Sequence, residues 1–306
     1  MVLDTLPRGA RVLVIRLRSL GDCVLTTPAL EILRDYRSDL RVGIVVEDRF
    51  AEVFAGNPNL DEILPPKRGA AARWGAYLVL NLHGGTRSME LTAFSLAKWR
   101  AGFAHFRGAW LYNIQIPGAQ EILGTDRKVH TAEHLACAMF HLGVPPRDIP
   151  PAHLYVKERP AHQPYAVVHP FASLPEKTWP AERFLEVAAG LQADHGLAPV
   201  FIGSAADDWN AFAGHQCVRG APLADVKALL AGASLFVGND SGPAHMAAAF
   251  AVPAVVLFST SDPVVWAPWK TRAEVLEASE TIARISAAQV LRASAELLRQ
   301  HEKVRG

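Results

Sequence analysis

The stretch Val237-Gly238-Asn239-Asp240-Ser241-Gly242-Pro243-Ala244-His245-Met246 runs from an apolar strand through a polar, glycine-containing turn straight into an alanine-rich helix. That order builds an anion site. Gly242 lets a ligand approach the backbone, Pro243 suits the first helical position because it has no N–H to satisfy, and the first-turn N–H groups face an anion with the helix dipole behind them. The plainer reading is a well-capped helix after a buried strand, with Asp240 or Ser241 as N-cap.

Outward from this point the same alternation recurs. Short apolar runs stand at Val12-Leu13-Val14-Ile15, Val42 to Val46, Tyr77 to Leu82, Tyr165 to Val168, Pro199 to Ile202, Leu235-Phe236-Val237 and Val255 to Phe258. Helical patterns fall between them, near Pro28 to Tyr36, Ser88 to Trp99, Thr131 to Leu142, Ala181 to Asp194, Pro222 to Leu230 and Pro243 to Phe250. Continuous apolar strands separated by helices predict parallel sheets covered on both faces. The segment from Gly143 to Pro164 holds six prolines and reads as a linker. The expectation is two Rossmann-like, doubly wound domains, residues 1–155 and 156–306, facing across a cleft, with ligands at the carboxyl ends of the strands. The last helix opens Ser286-Ala287-Ala288-Gln289, a capping-box pattern, and spans about 286–303.

Composition narrows the function classes. The 306 residues suit two domains of roughly 150 each. Lys plus Arg number 31 against 30 Asp plus Glu, so no global basic field favours nucleic acid. Cys23, Cys137 and Cys217 are far apart and form no C-x-x-C pair, which predicts reduced thiols in a cytoplasmic protein. The amino terminus has no apolar signal core, and the apolar stretch from Ala244 to Phe258 is broken by Pro253 and too short for a bilayer. Membrane contact, if any, is expected to be peripheral.

Three further loops follow strands. The first, Arg16-Leu17-Arg18-Ser19-Leu20-Gly21-Asp22, is no dinucleotide fingerprint, since the chain has no G-x-G-x-x-G. It offers one carboxylate, Asp22, which serves either as a general base toward a substrate hydroxyl or as a turn or N-cap aspartate. The second, His169 to Pro180, brings Lys177 to where a flexible cation reaches a diphosphate, or leaves it as a surface lysine. The third, Gly203 to Asp208, offers Asp207 or Asp208 to ribose hydroxyls, or to a helix start.

Taken in order, Ser19-Leu20-Gly21-Asp22 with Thr27-Pro28, His169-Pro170 through Lys177-Thr178-Trp179-Pro180, and Gly238 through His245 with Leu257-Phe258 and Asp262-Pro263 resemble the ADP-heptose:lipopolysaccharide heptosyltransferases of glycosyltransferase family 9. Weaker echoes are Asn81-Leu82-His83-Gly84 with Arg87-Ser88, and His130 with Leu142-Gly143. The resemblance implies a GT-B architecture with the acceptor on the amino-terminal side, the nucleotide sugar on the carboxyl-terminal side, and a final helix that crosses back to the first domain. It puts Asp22 at the catalytic-base position. Ser173, Lys177, Asp207, Asp240, Ser241, Gly242, Pro243, Ala244 and His245 become donor-binding candidates, and Arg16, Arg18, Gly21, His83 and Arg87 acceptor-binding candidates. Asp240 would cap the turn and accept from sugar hydroxyls while the N–H groups after it take phosphate.

The implied activity is inverting transfer of a heptose or related sugar from an ADP-activated donor to an anionic lipopolysaccharide-core acceptor. Without a D-x-D-type acidic motif, neither a metal nor a cofactor is expected. The sequence departs from the family at Phe171, where a small glycine is common, and at Ser259-Thr260-Ser261, in place of Gly-Pro-Thr. An epimerase-like nucleotide-sugar enzyme and a catalytically silent nucleotide-sugar-binding protein stay open beside the transferase. Oligomeric state is not legible.

Overall fold

In a computed structural model the chain is described over residues 1–158, 163–278 and 280–305, the last five by their backbone alone. Residues 159–162 of the proline-rich linker lie outside the described residues. Contacts divide the chain into two units, Met1–Tyr155 and Val156–Gly306.

The first unit is built on a parallel sheet of β1 (Arg11–Ile15), β2 (Arg41–Val45), β3 (Glu62–Leu64), β4 (Leu78–Asn81), β5 (Trp99–Phe103) and β6 (Ile114–Ile116). Its order is β3-β2-β1-β4-β5-β6. The second unit holds β7 (Tyr165–His169), β8 (Ala198–Gly203), β9 (Gln216–Arg219), β10 (Leu235–Asn239), β11 (Ala254–Phe258) and β12 (Ala273–Glu277). Its order is β12-β11-β10-β7-β8-β9. Renumbered within its own unit the second sheet repeats the first, so each is a Rossmann-like doubly wound sheet. In each, strand order reverses beside the first strand, at β1/β4 and at β7/β10, where open α/β sheets gather their ligands.

The central strands form because their residues are apolar on both faces. β7, β10 and β11 are buried throughout, and β1 and β2 in all but their first residue. Leu13, Ile15, Val45, Trp74, Val79 and Leu91 fill the first core, and Val168, Phe184, Phe201, Val237, Leu257 and Val290 belong to the second. Gly43 on β2 makes room for this packing, since a Cβ there would stand 2.9 Å from both Leu64 and the Trp74 ring and one of them would have to shift.

Three element readings are corrected. The helix expected over Ser88 to Trp99 spans Thr86–Phe94; Leu96 then takes φ +55° and turns the chain into β5, which begins at Trp99. A separate helix, Leu20–Leu25, occupies what read as a loop before Thr27. Strands β3, β5, β6, β9 and β12 were not read from the sequence. Four of these are short or half-exposed, as in β9, whose two ends are open to solvent and whose middle is only partly buried, and so carry no apolar run.

The last helix, Ala287–Arg305, opens with the expected capping box: the backbone N–H and hydroxyl of Ser286 donate to Gln289 Oε1 at 2.8 and 2.9 Å, and Gln289 N–H returns a bond to Ser286 Oγ at 3.3 Å. The helix is anchored in the second unit, where Ala287, Val290, Ala293 and Leu297 enter the core and Leu291 packs over Gly190 of the helix Ala181–His195. No helix among the described residues is long and apolar enough to cross a membrane.

Candidate active site

In the first unit the site forms where β1 and β4 end. Arg16, the residue after β1, is buried, with 5% of its surface exposed, and its Nη1 lies 3.5 Å from Asp22 Oδ1. Burial pulls the guanidinium below its ordinary pKa, and the facing Asp22 carboxylate opposes that pull. Asp22 stands at the third position of the helix Leu20–Leu25, where Ser19 is N-cap. Its Oδ2 accepts from the Ser19 hydroxyl at 3.0 Å and the Ser19 N–H at 3.4 Å. Asp22 is thus not the N-cap itself but the residue that closes a capping box on Ser19, and a quarter of its side chain stays open to solvent. Gly21 beside it is buried, while Arg18 is exposed.

Asn81, the last residue of β4, builds the facing loop. It is fully buried; its Oδ1 accepts from His83 N–H at 3.0 Å and Gly84 N–H at 3.1 Å, and its Nδ2 donates to Thr92 Oγ1 and the Tyr112 hydroxyl. His83 is thereby fixed half-buried, its pKa lowered by desolvation and by the nearby charges of Arg16 and Arg18. Gly84, at φ +72°, is needed because the Phe106 ring lies within 3.0 Å of where a Cβ would stand. Arg87 is turned to the surface, donating to the Pro66 carbonyl at 2.7 Å, with Glu90 3.9 Å away. His134, which received no specific role from the sequence, stacks on Phe103 at 4.1 Å; desolvation, with help from His105 and Arg16, brings its pKa down to about 4. Asn81 stood in one of the weaker family echoes, but its contacts with Thr92 and Tyr112, like that of His134 with Phe103, join positions that no local motif links.

In the second unit the site forms where β7 and β10 end. Asn239 is fully buried and joins the loops: its Nδ2 donates to the Pro170 carbonyl at 2.9 Å and its Oδ1 accepts from Trp179 N–H at 3.2 Å. Ser241 is the N-cap of the helix Gly242–Ala249, and Pro243 is its second residue rather than its first. Asp240 does not cap this helix. Its Oδ2 accepts from Lys177 Nζ at 3.2 Å and from the Ser261 hydroxyl. Lys177 is thus brought to the turn from the short helix Pro175–Lys177, against a carboxylate that is 12% exposed. Ser261 is a site residue that the sequence showed only as a departure from the family pattern.

Ser241 Oγ lies 3.0 Å from His169 Nδ1. Ala244 and His245 are buried in the first turn, and Ser173 is exposed on the loop before Lys177. Asp207 is engaged in its own turn, accepting from Ser204 N–H at 2.6 Å, and Asp208 accepts from Asn210 N–H at 3.0 Å. Both carboxylates thus shape the loop that follows β8. Phe171 packs inward, edge-on to Trp209 at 4.8 Å and Phe212 at 5.8 Å and against Gly203, so the residue that departs from the family fills the space under this loop.

The geometry is that of an acid presented at one switch point and a cation beside a helix start at the other. Comparison with known proteins gives it a family. A sequence profile of glycosyltransferase family 9 (heptosyltransferase) matches residues 75–290. The chain is similar to lipopolysaccharide heptosyltransferase 3 of Escherichia coli in two sequences. The strain K12 protein is 32% identical over 117 residues, which is 34% of this chain and 33% of that protein; another is 24% identical over 291 residues, 81% and 83% of the two. Among solved structures, the family 9 glycosyl transferase of Veillonella parvula superposes with TM-score 0.82 at 24% identity, over 98% of this chain and 99% of that one. E. coli heptosyltransferase WaaC with ADP superposes with TM-score 0.79 at 21% identity, over 94% and 99%. The two Rossmann-like domains are those of GT-B transferases, and the chain belongs to glycosyltransferase family 9.

Proposed function

We propose that this glycosyltransferase moves a heptose, with inversion, from an ADP-activated donor to an anionic sugar of a lipopolysaccharide core. The observation that carries the donor half is the convergence of Lys177 and Ser261 on Asp240, and of His169 on Ser241, in the turn after β10, at the strand-order reversal. The names of the relatives supply the sugar and the lipid. Asp22, on the first unit, takes the proton of the acceptor hydroxyl as its oxygen attacks the anomeric carbon. Lys177 and the turn from Asp240 to His245, on the second, stabilise the departing ADP. Asp207 meets the ribose, and Ser173 meets the donor from the loop before Lys177. Arg16, Arg18, Gly21, His83 and Arg87 form the acceptor side, with Arg16 also holding Asp22.

The reaction needs no metal, because a cation and a helix start do the work that a divalent ion does elsewhere. The protein works in the cytoplasm, where a lipid-borne acceptor calls for peripheral contact with the inner-membrane surface. Incubation with ADP-heptose and a truncated lipid acceptor, followed by mass spectrometry, tests the assignment. The expected product is acceptor plus one heptose, formed equally well with EDTA present. Turnover of donor without acceptor would replace transfer by an epimerase-like activity.

A further inference from the structure

Ser241 occupies the N-cap of the helix Gly242–Ala249, yet its hydroxyl makes no capping bond. The sequence explains why. An N-cap oxygen accepts from the N–H of the second or third helical residue. Here the second is Pro243, which has none, and the third, Ala244, gives its N–H to the Ser241 carbonyl at 3.1 Å. The hydroxyl is left for another partner, and that partner is His169 Nδ1, 3.0 Å away.

Sheet pairing sets this contact. His169 is the last residue of β7 and is in register with Gly238 of β10, three positions before Ser241. A Cβ on Gly238 would come within 3.0 Å of the His169 carbonyl oxygen, so glycine there permits the two strands to approach as they do. The imidazole is 9% exposed, with Phe171 edge-on to it at 6.3 Å. Burial keeps it neutral, its pKa lowered to about 4 against the opposing influence of Asp207.

We propose that His169 is a positioning residue of the donor site: its Nδ1–H donates to Ser241 Oγ, which turns the hydroxyl proton outward to a phosphate oxygen of the nucleotide diphosphate. A hydroxyl has one proton and two lone pairs. Filling a lone pair from the protein side leaves the proton for an acceptor, and phosphate oxygens are acceptors only. Pro243 and His169 thus act together: one removes the helix's claim on the hydroxyl, and the other sets its direction. The inference rests on the reading that the turn from Asp240 to His245 receives the donor diphosphate.

Calorimetric titration of the full chain with ADP tests it in the wild type and in His169→Ala, His169→Asn, Ser241→Ala and the His169→Ala/Ser241→Ala pair. The expected result is an affinity loss of about tenfold in each alanine variant, no further loss in the pair, and near wild-type affinity in His169→Asn, whose amide N–H reaches the place of Nδ1. In steady state the donor KM rises in each alanine variant and returns toward the wild-type value in His169→Asn. Wild-type affinity in His169→Ala, or losses that multiply in the pair, would overturn the proposal. Should His169→Ala not fold, His169→Gln replaces it: its amide reaches the place of Nε2 instead, so binding as tight as in His169→Asn counts against the relay. A wild-type protein that does not bind ADP would overturn the donor reading itself, whereas binding that ignores the His169 variants would overturn this contact alone.

Discussion

Asp22 is held by three donors from its own loop, namely Arg16 and the hydroxyl and N–H of Ser19. A carboxylate held this way keeps one orientation without losing its open side, which is what a base needs to meet a hydroxyl at a fixed angle. Asp22→Asn preserves shape and the Ser19 contacts but cannot take a proton. Its kcat is expected to fall by about 10²- to 10⁴-fold with ADP affinity unchanged, and full activity would remove Asp22 from the mechanism. Lys177 has a second duty beside any phosphate contact: it neutralises Asp240 at 3.2 Å. Lys177→Ala would leave the Asp240 charge, still bonded to the Ser261 hydroxyl, without a balancing cation beside the diphosphate, so donor KM should rise and kcat fall together. Adding Asp240→Asn should then recover part of the donor KM, and a double variant worse than Lys177→Ala would show that Asp240 binds the sugar more than it repels the phosphates.

At the scale of elements, the parts legible in the sequence are those with a local cause. The capping box of the last helix and the buried central strands followed from spacing and apolar runs. The edge strands did not. β12, with the sequence AEVLE and only partial burial, is a strand because β11 lies beside it in register from Ala273 to Glu277. Helix packing was equally silent. A Cβ on Gly190 would stand 2.7 Å from Leu291 Cδ2, so Gly190 sets how closely the last helix approaches the helix Ala181–His195. Gly190→Val is expected to destabilise the second unit by about 1–3 kcal/mol, recovered in part by Leu291→Ala, with denaturant unfolding as the measure. An unchanged midpoint in Gly190→Val would mean that the last helix shifts freely.

Across the whole molecule the same sheet order occurs twice, and each unit carries a histidine whose pKa burial has brought to about 4, His134 in the first and His169 in the second. The unfolded chain takes up these protons near 6.5, the ordinary value, and the folded chain only near 4. Folded pKa values below the unfolded ones belong here to bases, so the stability is intact above pH 6.5 and is lost as pH falls toward 4. Each histidine accounts for about 3 kcal/mol over that window. Thermal unfolding at pH 7 and pH 5 should show the loss, and His134→Phe, which keeps a ring against Phe103, should flatten the first unit's share. A pH profile that His134→Phe leaves as steep as before would assign the acid sensitivity elsewhere.

By itself the sequence determined the doubly wound class, the linker between two domains and the loops that carry Asp22, Lys177 and Ser241, because apolar runs, prolines and turn chemistry act over a few residues. Only the tertiary structure decided which groups those loops bring together: Arg16 with Asp22, Lys177 and Ser261 with Asp240, and His169 with Ser241. The last two unions join residues 63, 21 and 72 positions apart along the chain. Their distances are fixed by the register of parallel strands and by where the strand order reverses, and a one-dimensional pattern contains neither.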